Sequence, residues 1–158
     1  MGIRRAVEIG VDRGLFAAEF LARWQGDILV CIDPWEPYPH MPYDRTPDLL
    51  MAVNLLSPFK SRVKIIRARS PEAAGLLGPY SQPGFVYIDG SHDYDDVKKD
   101  IAGWWPVVVP GGILAGHDYT DEAFGVKQAV NEFVAQYGVV LNLTVEANEA
   151  ISWWVQKA

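Results

Sequence analysis

Between Val7 and Asp33 the sequence passes from a short apolar run through a glycine-spaced turn into an amphipathic segment. A second apolar run follows and ends on a carboxylate. The first part reads Val7-Glu8-Ile9-Gly10-Val11-Asp12-Arg13-Gly14, the amphipathic segment spans Leu15 to Trp24, and Ile28-Leu29-Val30-Cys31-Ile32 leads to Asp33. Strand, glycine turn, helix, strand and terminal carboxylate make up the first half of a nucleotide-binding α/β sheet. The glycines let a ligand approach the backbone, the helix N-terminus offers unpaired N–H groups, and the carboxylate can accept both hydroxyls of a ribose. An adenosine-containing cofactor is therefore expected over Gly10, Gly14 and Asp33.

The turn also bears on which cofactor. A dinucleotide fingerprint, G-x-G-x-x-G, lays two phosphates almost on the backbone. Here the spacing is Gly10-x-x-x-Gly14, and an acidic Asp12 beside Glu8 is a poor neighbour for a pyrophosphate. Those carboxylates suit the ammonium of a methionine better, and Arg13 is placed to face a carboxylate. The pattern Glu8-x-Gly10-x-x-x-Gly14 resembles the first motif of class I S-adenosylmethionine-dependent methyltransferases.

Bulk properties narrow the field. The chain has 158 residues, enough for one domain with a full core, and residues 1–158 are read as a single unit. A net charge of −6 leaves no electrostatic footprint for nucleic acid. Arg62, Lys64, Arg67 and Arg69, the densest basic group, read as a strand edge and its loop. Cys31, the only cysteine, gives neither a disulfide framework nor a thiolate cluster, and its strand setting implies a buried, inert thiol. Neither a signal segment nor an apolar run of about 18 residues is present, so a cytoplasmic protein without a membrane partner is expected.

Strand-like and helix-like stretches alternate, which argues for a parallel α/β sheet. Strands are expected near 5–9, 28–33, 63–67, 84–89, 112–117, 139–145 and 151–156, and helices near 14–25, 47–57, 71–78, 93–105 and 125–137. The last helix is the clearest, with Val126, Ala129, Val130, Phe133, Val134 and Tyr137 in register and Gly138 as its stop. No helix separates the final two strands, so they should pair as an antiparallel hairpin around the polar turn Glu146 to Glu149. Five such units closing in a hairpin form, as the resemblance implies, the Rossmann-like class I methyltransferase sandwich with a seven-stranded, mostly parallel sheet.

Pro34 to Pro47 is irregular, with five prolines among Trp35, Tyr38, His40 and Tyr43. Two readings stand: a surface loop folded onto the sheet edge, or a lid, since it leaves the second strand at the end where α/β sheets bind ligands. Ser70 is expected to cap the next helix with Pro71 at its first position. The resemblance adds that this turn lies against the adenine.

Two later segments, Ile88-Asp89-Gly90-Ser91-His92-Asp93-Tyr94 and Pro110-Gly111-Gly112-Ile113-Leu114-Ala115-Gly116-His117-Asp118-Tyr119, are apolar strands ending in bursts of Asp and His. Neighbouring strand ends lie about 5 Å apart, so Asp89 and the His117-Asp118 pair can converge. The pairing resembles a branch of small class I methyltransferases that includes relatives of the macrolide sugar O-methyltransferases, and the resemblance runs from Glu8 to Trp154. It implies S-adenosyl-L-methionine as cofactor, with Glu8, Gly10, Arg13 and Gly14 at its methionine end, Asp33 at the ribose, Ser70 near the adenine and Asp89 beside it. The acceptor implied is a small-molecule hydroxyl.

For the proton of that hydroxyl two routes stay open. By position in the metal-dependent relatives, Asp89, His117 and Asp118 would hold Mg²⁺ or Mn²⁺. A histidine where relatives have oxygen ligands departs from that pattern and suits Mn²⁺ or Zn²⁺ better than Mg²⁺. Without metal, His92 or His117 is the general base, with Asp118 completing the reaction centre. Plainer roles stand beside these: Asp93 as helix cap, Asp95 and Asp96 in a solvated first turn, and Trp104-Trp105 and Trp153-Trp154 as core and sheet cover. Trp153 and Trp154 point to opposite faces of a strand, which suggests a homo-oligomer.

Two rival functions remain, an NAD-binding oxidoreductase domain and a non-catalytic subunit that kept the fold. The chain opens at its first strand without helices to cover an acceptor. A second protomer would then complete the site, the chain would be an excised piece, or catalysis would have been lost.

Overall fold

The computed structural model describes residues 2–39, 41–121, 125–144 and 151–158. Among them the chain runs β1 (Arg5–Ile9), α1 (Leu15–Arg23), β2 (Ile28–Asp33), α2 (Thr46–Leu56), β3 (Val63–Arg67), α3 (Ser70–Ala73), β4 (Phe85–Ile88), α4 (Tyr94–Trp104), β5 (Ile113–Gly116), α5 (Val126–Tyr137), β6 (Asn142–Leu143) and β7 (Trp153–Gln156). The strands form one seven-stranded sheet in the order β3-β2-β1-β4-β5-β7-β6. The first five strands pair in parallel. β7 lies antiparallel to both β5 and β6, as the expected hairpin requires. Its turn, residues 146–149, lies outside the described residues.

Local sequence accounts for these elements. β2, Ile28-Leu29-Val30-Cys31-Ile32-Asp33, is apolar almost throughout because helices cover both sheet faces near the centre. On one face Val7, Ile9, Val30, Ile32, Val86, Ile88 and Leu114 pack against α4 and α5. On the other, Ala6, Leu29 and Cys31 meet Ala17 and Leu21 of α1 and Ala52 and Leu56 of α2. α5 buries Val126, Ala129, Val130 and Phe133, and ends where left-handed Gly138 donates to the Val134 carbonyl at 2.9 Å. Arg62 closes α1 by donating to the carbonyls of Leu21, Trp24 and Gly26, so the basic group near β3 has structural work. Trp104 and Trp105 are buried, while Trp153 is buried and Trp154 half-buried on opposite faces.

Three expectations need correction. The helix expected over 71–78 is α-helical only from Ser70 to Ala73, and tighter 3-10 turns at Ala74–Leu76 and Gly78–Tyr80 follow where Gly75 and Gly78-Pro79 disfavour a regular helix. Ser70 does not cap α3; extended Arg69 holds the cap position and Ser70 is the first helical residue. β6 is only two residues, Asn142 and Leu143, within the expected 139–145. No helix of the described residues is long and apolar enough to cross a membrane.

The sequence order reverses between β1 and β4, which makes their carboxyl ends the topological switch point. At the far side of this edge the Trp153 indole lies over Gly116: a Cβ there would come 2.6 Å from the Ile88 carbonyl oxygen and 2.7 Å from Trp153 Nε1. Gly116→Ala should therefore destabilise the domain by about 1–3 kcal/mol, measured by denaturant unfolding.

Candidate active site

The β1–α1 turn is held by its neighbours. Ile9 accepts from the Asp89 amide at 2.8 Å, and the Gly10 amide donates to the Ile32 carbonyl at 2.9 Å. Gly10 has φ +84°, and a Cβ would stand 1.9 Å from the Asp89 carbonyl oxygen, so no other residue fits. Asp12 and Trp35 also adopt left-handed backbone, and Asp33 fixes both: its Oδ2 accepts from the Asp12 amide at 3.0 Å and its Oδ1 from the Trp35 amide at 2.7 Å. Burial raises the Asp33 pKa, and those amide bonds oppose the rise.

A cleft of about 690 Å³ opens over this edge, within the ordinary range for small-ligand sites. Gly10, Asp33 and Ser70 line it, as do Asp89 and His92 at the β4 end. Tyr38 and Met41 bring the proline-rich loop to the same cleft, which supports the lid reading for that segment; Trp35, by contrast, is a core residue, and His40 lies outside the described residues. The loop is anchored rather than loose: Arg67 donates to the Pro34 and Trp35 carbonyls at 3.0 and 3.2 Å, and Arg69 pairs with Glu36 at 2.7 Å.

Three residues expected at the cofactor do not line this cleft. Glu8 is 2% exposed and sits beneath it, its pKa pushed well up by burial and by Asp89 and Asp33. Gly14 starts α1 and packs on Ala52. Arg13 turns away to Asp48, Nε to Oδ1 2.9 Å, because that buried carboxylate requires cationic partners.

At the β4–β5 end the acidic and imidazole side chains converge. His92 Nε2 lies 3.0 Å from Asp118 Oδ2 and 3.9 Å from Asp89 Oδ1. His117 Nδ1 lies 3.3 Å from Asp118 Oδ2 and 3.9 Å from Asp89 Oδ1. Asp89, His92 and Asp118 form a set whose ligand-capable atoms all fall within 4.8 Å of one another; His92 thus stands in the set where the sequence reading put His117. The nearby Asp89 carboxylate, with Asp118, raises the His92 pKa against the opposing effect of burial, while the adjacent His117 lowers that of Asp118. Asp118 holds this position in left-handed backbone, φ 56°, a strained conformation that asparagine and aspartate tolerate best.

Residues 7–119 match the family model for a methyltransferase domain. The chain belongs to that family. No curated protein shows significant sequence similarity to it. Among solved structures, the O-methyltransferase NovP superposes with a TM-score of 0.73 at 16% identity, over 98% of this chain and 72% of that one. TomG, an O-methyltransferase of Streptomyces achromogenes involved in tomaymycin synthesis and solved with SAM, gives 0.72 at 16% identity, over 99% and 74%. An O-methyltransferase of Bacillus cereus in complex with SAH gives 0.69 at 16%, over 98% and 74%.

Two cleft residues of this methyltransferase domain escaped the sequence reading. Arg45, 4% exposed, comes from the irregular loop, where no periodicity marks it. Asp100 carried a signal: with Val97, Ile101 and Trp104 it sits at i+3 on the buried stripe of α4, an acidic residue on an apolar face. The Ser70 hydroxyl accepts from Trp104 Nε1 at 2.8 Å and bonds the Asp100 carboxyl. Burial, with Asp96 and Glu72 adding repulsion and Lys99 and the Ser70 bond opposing, pushes Asp100 up to about 7. The folded state thus keeps a proton that the unfolded chain loses near pH 4, so stability falls as pH rises from there through 7. Asp100→Asn should therefore gain melting temperature relative to the parent at pH 8 compared with pH 4, in paired thermal unfolding curves.

Proposed function

We propose that this domain transfers the methyl group of S-adenosyl-L-methionine to a hydroxyl of a small-molecule acceptor. The carrying observation is one cleft with a ribose-type carboxylate, Asp33, at the end of β2 and Asp89 and His92 at its other end, with Asp118 behind His92 at 3.0 Å. Gly10 and Asp12 receive the methionine end, Asp33 accepts the ribose hydroxyls, Ser70 lies toward the adenine, and Asp89 closes the pocket beneath the sulfonium. The sheet order, with β7 antiparallel between β5 and β6, and the family match both weigh against an NAD-binding oxidoreductase. The net charge of −6 and the acidic lining of the cleft favour a small acceptor over nucleic acid.

In this reading the acceptor oxygen attacks the methyl carbon in line as the carbon–sulfur bond breaks, and the bonding pair returns to sulfur as S-adenosylhomocysteine leaves. His92, held by Asp118, takes the hydroxyl proton, and His117 steadies Asp118. The two carboxylates and the imidazole within 4.8 Å are also a mixed oxygen–nitrogen donor set that fits Mn²⁺ better than Mg²⁺, with His117 alongside. Such a cation, when bound, would lower the pKa of the acceptor hydroxyl.

Titration calorimetry with S-adenosylmethionine, with and without Mn²⁺, tests the cofactor. Asp33→Ala should abolish binding. Asp118→Ala should keep binding and lower turnover by roughly 10²-fold or more. Unchanged turnover in Asp118→Ala would sink the assignment of the cluster. A wild-type protein that binds cofactor yet transfers no methyl to any hydroxylated acceptor would favour the non-catalytic reading.

A further inference from the structure

Arg45 is a buried cation inside the cleft wall. Its Nη2 donates to Asp12 Oδ1 at 2.5 Å and its Nε to Asp48 Oδ2 at 2.5 Å. The Tyr38 and Tyr43 rings lie 6.0 and 5.7 Å from its guanidinium carbon. Those two bonds use two of the five N–H groups that a guanidinium carries. Asp48 is already satisfied by a second cation, Arg13, so Arg45 is not needed to neutralise it alone. Both Arg45 and Asp12 line the cleft, Asp12 beside Gly10 and Asp33, whereas Arg13 does not.

An adjacent guanidinium and carboxylate facing one pocket present a positive and a negative pole side by side. The ligand group complementary to that pair is a zwitterion with carboxylate and ammonium on one carbon. We propose that Arg45 and Asp12 together read the α-amino-acid end of the cofactor, the guanidinium taking its carboxylate and Asp12 its ammonium. This rests on the S-adenosylmethionine reading above, and it reassigns to Arg45 the carboxylate contact that sequence order offered to Arg13. The proline-rich loop thereby supplies a specificity-determining residue for the cofactor, fixed in place by Asp48 and flanked by two tyrosine rings.

Three adenosine ligands separate the possibilities in equilibrium titrations. S-adenosylhomocysteine has the whole amino-acid end, 5′-(3-aminopropylthio)adenosine lacks only the carboxylate, and 5′-methylthioadenosine lacks both charges. Wild-type protein should bind the first roughly ten- to hundredfold more tightly than the second. Arg45→Met should erase that preference while leaving affinity for 5′-methylthioadenosine within about twofold, and Arg45→Lys should restore part of it. Asp12→Asn should weaken both amine-bearing ligands and spare 5′-methylthioadenosine. Equal losses for all three ligands in Arg45→Met, or a wild type indifferent to the carboxylate, overturns the inference. A wild type that binds none of the three overturns the cofactor reading itself, and this inference with it.

Discussion

The direct parallel pairing of β1 with β4 is the constraint on which the rest depends. It brings Gly10 against Asp89 so closely that a Cβ would stand 1.9 Å from a carbonyl oxygen, with the Asp89 amide bonded to Ile9 at 2.8 Å. Chain segments separated by nearly eighty residues are thereby joined at one edge, and the turn after β1 faces the loop after β4. β5 then adds His117 and Asp118 next to Asp89, and β2 adds Asp33 on the opposite side. The cleft follows from this crossing of strands, and its walls from the loops the crossing gathers.

Gathering those loops concentrates negative charge, and the molecule answers in three ways. Glu8, at the centre, is buried, and burial together with Asp89 and Asp33 raises its pKa, which disfavours a third charge between them. Asp33 accepts one amide on each oxygen, from Asp12 and Trp35, so a desolvated carboxylate braces turn and loop while a second acceptor position remains on each oxygen. Asp89 and Asp118 face two imidazoles, whose protons or a bound cation can balance them. The proline-rich loop is held on this base by Arg67, Arg69 and Arg45, so the basic residues of this acidic chain secure its ligand-facing segment.

Much of this was legible in the sequence, because it is written in local pattern. β1, β2 and β3 fall at the expected 5–9, 28–33 and 63–67, and the strand-end clusters at Asp89 and at His117-Asp118 meet because parallel strands must align their carboxyl ends. Insertion of β7 between β5 and β6 was not legible, since a hairpin pattern specifies pairing but not which of its strands joins the sheet. Side-chain direction was equally hidden. Asp48, three residues past Arg45, captures both Arg13 and Arg45 from α2, but only Arg45 also bonds Asp12 and lines the cleft. His92 reached the cluster from a loop whose fold no periodicity encodes. Asp100 was visible as an acid on an apolar stripe, and the meaning of that mismatch emerged only with Ser70 and Trp104 beside it.

A crystal structure of the protein with S-adenosylhomocysteine tests the central claim most directly. The account predicts density across the β1–β4 switch, with ribose hydroxyls on Asp33 and the sulfur facing Asp89 and His92. Ligand bound away from that edge, or ribose hydroxyls that do not meet Asp33, would contradict it.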